Sequence, residues 1–472
     1  MITRRHAVLG LAAALASCKR RQQSKVAEVW DEEPVPEQSE ALAALAPPWP
    51  APTRGTLDDG LVTFWLHEPG AVMAHVRLLL PTGGLAPAPS PESIAIAGEY
   101  LRFEWQRRLQ KQGVSVQLQP GPDRLEVCAS GPGDRLPNML AQLGSTLALR
   151  SANPLESARV RLSSGDARPT NLELATAATV AQLLGHHDLV QLDRLRALGR
   201  QALLEPWQRL ADPLRGVLIV HAGGTADAAK PELRRLSELW RSSERSDTVA
   251  PAIARLRARD EAPASTGTRL LAAPPTPLSY VEGRAGGGEA ILVLGRTLPL
   301  ADASTRALAR LAQRVAQEEI DASLVVAGDR AVWIVAAVIS RSAVERDLGR
   351  EVAGLAALAG TRQPRQRLFQ AAQLYLGARV VEASLGGEDW TRLFAQSIDL
   401  AESDPQIAGA MAKDAAAMLA ATPAALETWT RSWLEPRKGE PGWAWTVAGL
   451  DAQARAQAAK LVPVVAFDGP AT

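Results

Sequence analysis

The order of periodic segments constrains this chain more than any other feature. Residues 54–245 read strand, strand, helix, strand, strand, helix, then further helices, a strand and a last helix, and near residue 269 a similar order begins again. Alternation and short apolar runs mark strands at Leu61–Leu66, Val72–Leu80, Ser115–Gln119, around Leu125 and at Arg215–His221. Three- and four-residue spacing marks helices over Ser93–Gln112, Asp134–Leu149, Leu155–Leu162, Asn171–Leu184, Asp193–Leu203 and Lys230–Trp240. The second run gives strands at Glu289–Leu298, Ser323–Ala327, Ala331–Ser340 and Gly442–Val447, with helices at Ala303–Glu318, Ala343–Ala359 and Gln363–Ser384. This order predicts an α+β chain in which one pattern of elements occurs twice. A length of 472 residues, 46% of them hydrophobic and 22% charged, calls for two cores rather than one.

The N-terminus follows a separate logic. Arg4 and Arg5 lie in a short basic segment, and Ala7–Ala16 is apolar but too short to span a bilayer. Leu15-Ala16-Ser17-Cys18 resembles a bacterial lipobox. A signal peptide over residues 1–17 is expected, with the general secretory and twin-arginine routes both open, followed by acylation of Cys18. Two or more acyl chains anchor a protein stably, because each buried CH₂ contributes about 0.8 kcal/mol. Lys19 after Cys18 favours the periplasmic face of the outer membrane over the inner membrane. Residues 18–53, rich in Pro and Glu, read as a tether, 246–268 as a linker between half-modules 54–245 and 269–466, and 467–472 as a tail. A formal charge of +1 gives no footprint for nucleic acid, and none is expected as a partner. Cys128, the one cysteine besides Cys18, sits in an alternating strand and reads as a small buried hydrophobe without a disulfide partner.

Ile96-Ala97-Gly98-Glu99-Tyr100 lies on the Ser93–Gln112 helix, after a strand pair and the Gly83-Gly84 turn. Leu57-Asp58-Asp59-Gly60-Leu61 opens the preceding hairpin, and Arg215–Gly224 gives a late strand ending in a glycine turn. Across about residues 54–245 this arrangement resembles the insulinase- and pitrilysin-type zinc peptidases, the inverzincins, and the resemblance implies two tandem homologous half-modules, each an antiparallel sheet covered by helices. Their His-x-x-Glu-His motif holds zinc through two histidines at i and i+4, and its glutamate polarises the attacking water. Here Ile96 and Tyr100 stand at the histidine positions and only Glu99 remains. Isoleucine has no lone pair to donate, and a phenol is a poor substitute for imidazole. The resemblance therefore implies a degenerate, non-catalytic member, similar to the inactive subunits of processing-peptidase-like heterodimers. It implies no catalytic or metal residue and no cofactor. An active zinc-peptidase homologue is the implied partner, with a peptide held between the two and the membrane reached through Cys18. Two alternatives stay open: an active metallopeptidase with an unorthodox metal site around Glu99, and an envelope scaffold with no peptidase partner.

The family takes a third ligand, a glutamate, from a later helix. The corresponding helix here ends in Ser163, Ser164 and Gly165, and Glu173 beyond it reads as a solvated residue starting the next helix. His67 and His75 flank the first hairpin, His186-His187 lie in a loop and His221 ends a strand. All read as surface or satisfied histidines. Glu99, one turn from Arg102, reads as a paired or solvated carboxylate. Inactive partners in the family grip substrate with an Arg and a Tyr from the second half, but Arg314 has no tyrosine companion between Tyr280 and Tyr375. The late tryptophans Trp429, Trp433, Trp443 and Trp445 invite a ligand-binding reading, but Trp429 and Trp433, spaced i, i+4, read as core or interface anchors.

Overall fold

A computed structural model describes residues 52–240 and 278–466, apart from 83–88, 121–123, 150, 165–169, 185–189, 191, 282–288, 301, 318–319, 328–329, 345, 348–349, 352–362, 364, 385–386, 399–412, 435–442 and 460–463. The signal segment with Arg4, Arg5, Leu15, Ala16, Ser17 and Cys18, the linker 246–268, the tail 467–472, His186-His187 and Gly165 lie outside the described residues. Among the described residues no helix is long and apolar enough to cross a membrane.

The first sheet holds β1 (Thr53–Thr56), β2 (Val62–His67), β3 (Met73–Pro81), β4 (Ser115–Pro120), β5 (Arg124–Pro132) and β6 (Val217–Ala222), in the spatial order β1-β2-β6-β3-β5-β4. The second holds β7 (Leu278–Val281), β8 (Glu289–Pro299), β9 (Asp321–Ala327), β10 (Arg330–Ser340), β11 (Trp443–Ala448) and β12 (Val464–Ala466), in the order β12-β7-β11-β8-β10-β9. Five positions of the two sheets correspond one to one. β2 pairs parallel with β6 as β7 does with β11, and the pairs running from β6 or β11 out to β4 or β9 are antiparallel. The sixth position differs: β1 precedes β2 and pairs antiparallel, whereas β12 comes from the far end of the chain and pairs parallel with β7. Each sheet is thus mixed and mostly antiparallel, because β6 inserts between β2 and β3 as β11 does between β7 and β8.

On one face of the first sheet lie α1 (Pro91–Leu109), α2 (Leu136–Leu147), α3 (Asn153–Ser164) and, after α4 (Asn171–Leu184), the short α5 (Leu192–Ala197) and α6 (Leu204–Leu210), then α7 (Lys230–Trp240). The single helix read over Asp193–Leu203 is instead α5, a 3₁₀ turn at Arg200–Leu203 and α6, broken around Gly199. Ser90 caps α1 by accepting from the Ser93 amide, Pro91 occupies its first turn, and Gly113 at φ +71° lets the chain leave the 3₁₀ turn that follows. Core side chains Val76, Leu78, Leu101, Trp105, Leu140 and Trp240 are sealed here, and the two indole N–H groups donate to the carbonyls of Met139 and Ala211. In the second half α8 (Ala303–Ala316), α9 (Arg365–Ser384), α11 (Pro423–Trp433) and α12 (Ala452–Ala458) cover one face of the sheet around Trp333, Leu311 and Trp429.

The opposite face of each sheet is covered by a helix from the other half. α4 lies across β8 and β11, packing Ala175, Ala178 and Val180 on Val293, Val332 and Ile334. α10 (Gly387–Ile398) lies across β3 and β6, packing Phe394 and Ala395 on Val62, Phe64, Leu66, Val217 and Ile219. The two halves are therefore interlocked, each completing the other's hydrophobic layer.

Candidate functional site

Gly98 faces the sheet from α1. A Cβ there would meet Leu125 Cδ1 at 2.9 Å, so the glycine brings the motif turn of the helix close against β4 and β5. One turn of helix then places Ile96 and Tyr100 on a common face. Both are in the core, at 1% and 3% exposure. The Tyr100 hydroxyl donates to the carbonyl of Thr146 at 2.7 Å, and its ring meets Trp207 edge-on at 5.0 Å between centroids. Burial pushes its phenol pKa well up, which keeps it protonated and a donor rather than a metal-binding phenolate.

Glu99 carries the polar chemistry of the motif, and it is occupied. Arg102 grips it with both Nε (3.0 Å) and Nη2 (2.8 Å), and Arg161 Nε donates to its Oε1 at 3.1 Å. Arg161 stands on α3, with its guanidinium stacked 3.7 Å from the Phe103 ring centroid. α3 is the helix that corresponds to the one from which the family takes its third ligand. Where a carboxylate would be needed, it supplies a cation. Ser163 and Ser164 at its end donate to backbone carbonyls of Arg159 and Arg161. Glu173 is exposed and closes a capping box at the start of α4: its carboxylate accepts from the Thr170 amide at 2.8 Å, and the Thr170 hydroxyl accepts from its amide.

The donor set thus does not fit the zinc of the inverzincin motif. Zinc needs three protein ligands with free lone pairs at about 2 Å. Ile96 offers none, Tyr100 has given its hydroxyl to Thr146, and both Glu99 oxygens face guanidinium donors. Among the described residues no group of three or more His, Cys, Asp or Glu side chains is gathered as a metal ion would require. A cavity of about 490 Å³, lined by Trp65, Val72, Leu136, Leu140, Ala222 and Glu232, opens at the β2–β3 turn and includes none of the motif residues.

No family model and no curated protein matches the sequence. Solved structures do match. A protease from Helicobacter pylori superposes with a TM-score of 0.64 at 10% identity, over 84% of this chain and 99% of that one. A peptidase M16 inactive domain from Pseudomonas fluorescens gives 0.60 at 10% identity, over 85% and 98%. The periplasmic protease PqqL from Escherichia coli gives 0.58 at 12% identity over 95% of this chain, which spans 51% of PqqL. The chain has an insulinase-type, M16-like peptidase fold. At such identity the likeness concerns the fold, and the site must be judged on its own residues.

Those residues include a second polar cluster that sequence reading did not find, on the α10 face of this M16-like fold. His75 lies on β3. Its neighbour is His221, directly across the β3–β6 pair, with ring centroids 5.6 Å apart. His67 is exposed and bonds the Gly223 carbonyl. Both His75 and His221 are buried, and so is Arg77, which donates to Glu126, Gln119 and Thr391 and to the carbonyl of Glu388. Ser130 donates to Glu388 Oε2 at 2.8 Å, and His221 Nε2 meets Glu68 Oε2 at 2.7 Å. Cys128, also buried and free, has its thiol pKa pushed up by burial, consistent with a packing role. On the second half, Arg314 bonds Gln317 rather than a tyrosine, while Tyr375 meets Arg310 on the outer helices. Trp429 and Trp443 are in the core, with Trp433 and Trp445 packed against it.

Proposed function

We propose that this chain is a pseudo-peptidase: an exported, lipid-anchored scaffold of insulinase type that holds a peptide or protein partner without hydrolysing it, beside an active zinc-peptidase subunit. The observation that carries the reading is the arginine clamp on Glu99. A general base must be free to take a proton from a water that a metal has polarised. The one acidic residue of the motif instead neutralises two guanidinium groups, and its flanking positions are an aliphatic side chain and a committed phenol. A non-hydrolytic member has precedent in the fold, since the Pseudomonas fluorescens neighbour is itself described as an inactive domain. The leader and Cys18 support an envelope location.

Three measurements test the proposal. Metal analysis of the full-length purified protein is expected to find no stoichiometric zinc. Stoichiometric zinc, with chelator-sensitive cleavage lost in Glu99→Gln, would replace the reading with an active metallopeptidase. Affinity capture from native membranes is expected to recover a chain with an intact His-x-x-Glu-His motif, and recovery of none would leave an envelope scaffold. Mass spectrometry of the mature N-terminus should find acylated Cys18, with release from the membrane in Cys18→Ala.

A further inference from the structure

We infer that the buried His75–His221 pair makes the contact between α10 and the first sheet a proton-operated latch. The first turn of α10 sits directly on the His221 ring and is tied to His75 through Ser130. Gly387 lies so close to His221 that a Cβ there would fall 1.9 Å from Nδ1, an atom that is buried and bonds to nothing. The next residue, Glu388, accepts the Ser130 hydroxyl hydrogen, so Ser130 in turn accepts from His75 Nδ1 at 3.0 Å. That hydrogen-bond direction puts a ring proton on Nδ1, so the neutral ring is bare at Nε2 and a second proton would have to enter there.

The charges around His75 oppose one another. From β3 comes Arg77, from β5 Glu126 and Cys128, and from β6 His221. From the β2–β3 turn comes Glu68, and from α10 come Glu388 and Asp389, the latter held by Arg392. Glu68 and Asp389 favour the cation, while His221 and Arg77 disfavour it. Burial is the largest influence and, with His221 and Arg77, outweighs the two carboxylates, holding the His75 pKa down at about 4 against an ordinary 6.5.

When α10 lifts away, water reaches both rings and that desolvation is relieved. The undocked state then binds more protons than the docked one. The contact is strongest above pH 6.5 and weakens as pH falls from 6.5 towards 4, by at most tenfold per pH unit for one proton. The companion crossing contains its own control, since α4 meets the second sheet through alanines, valine and the hydroxyls of Thr179 and Thr446.

Hydrogen exchange of the full chain, corrected for the intrinsic effect of pH, tests the latch. Between pH 6.5 and 4.5, protection over Gly387–Ile398 is expected to fall several-fold per unit while Asn171–Leu184 stays within about twofold. In His75→Gln, which keeps a polar group for Ser130 but does not titrate, the fall over α10 should vanish. Unchanged protection of α10, an equal fall in both helices, or the same slope in His75→Gln would each overturn the latch. If that variant does not fold, the comparison of the two helices in the parent chain decides alone.

Discussion

α4 meets the second sheet through aliphatic side chains and a pair of hydroxyls. α10 meets the first through an aromatic contact at one end and buried ionisable groups at the other. At one end of α10, Phe394 packs edge-on against Phe64 with ring centroids 5.1 Å apart. At the other, Arg77 and the histidines gather around Glu388. Under α4, Gly295 admits Thr179 so closely that a Cβ would lie 2.3 Å from its methyl group, and Thr446 completes the contact. The same architectural job, closing the open face of a sheet with a borrowed helix, is thus done once by shape and once by charge. Shape contacts respond to volume. Charge contacts respond also to protons and to the loss of a partner.

The contrast can be broken in order of expected effect. Phe394→Ala removes the largest apolar contact under α10 and should cost about 3–4 kcal/mol, read as a lower denaturant midpoint with loss of amide protection in α10 but not α4. Arg77→Met should cost about 3 kcal/mol: Glu126 keeps Arg124 at 2.7 Å, but the bonds to Thr391 and the Glu388 carbonyl disappear. Gly295→Ala should cost about 1–3 kcal/mol by overpacking and loosen α4 alone. Gly387→Ala should do the same to α10 alone, and if either substitution loosened both helices equally, the two crossings would not be independent. Thr179→Val is the mildest, at about 1 kcal/mol or less, since Gln182 still donates to Thr446.

Much of the frame was legible because periodicity is local. The strands β2, β3, β8 and β10 and the helices α1, α4 and α7 all follow from apolar spacing. β1, β7 and β12 were missed because three or four residues are too few to show alternation, and they exist only by pairing with a longer neighbour. At the motif, the sequence sufficed for the missing ligands, since Ile96 and Tyr100 cannot become imidazoles in any fold. It also suggested Arg102 for Glu99, three residues on. Arg161 was out of reach at 62 residues' separation, and Ser130 and Glu388 are 258 residues apart. Charges that meet only through tertiary structure leave no spacing to read. Nor does the composition of α4 or α10 say which sheet it will cover, because Ala, Val and Phe pack equally well on either.

The borrowed helices also set an order of events at the ribosome. All six strands of the first sheet have been made once Ala222 emerges, yet Val62, Phe64, Leu66 and Ile219 on its second face wait for a cover encoded at residues 387–398. Domains of a nascent chain fold from the N-terminal side, and uncovered apolar surface in such intermediates is prone to aggregate. For this chain the vulnerable interval runs from Ala222 until Ile398 has been made, and a truncation between Ala222 and Gly387 would leave a finished sheet with an open, sticky side.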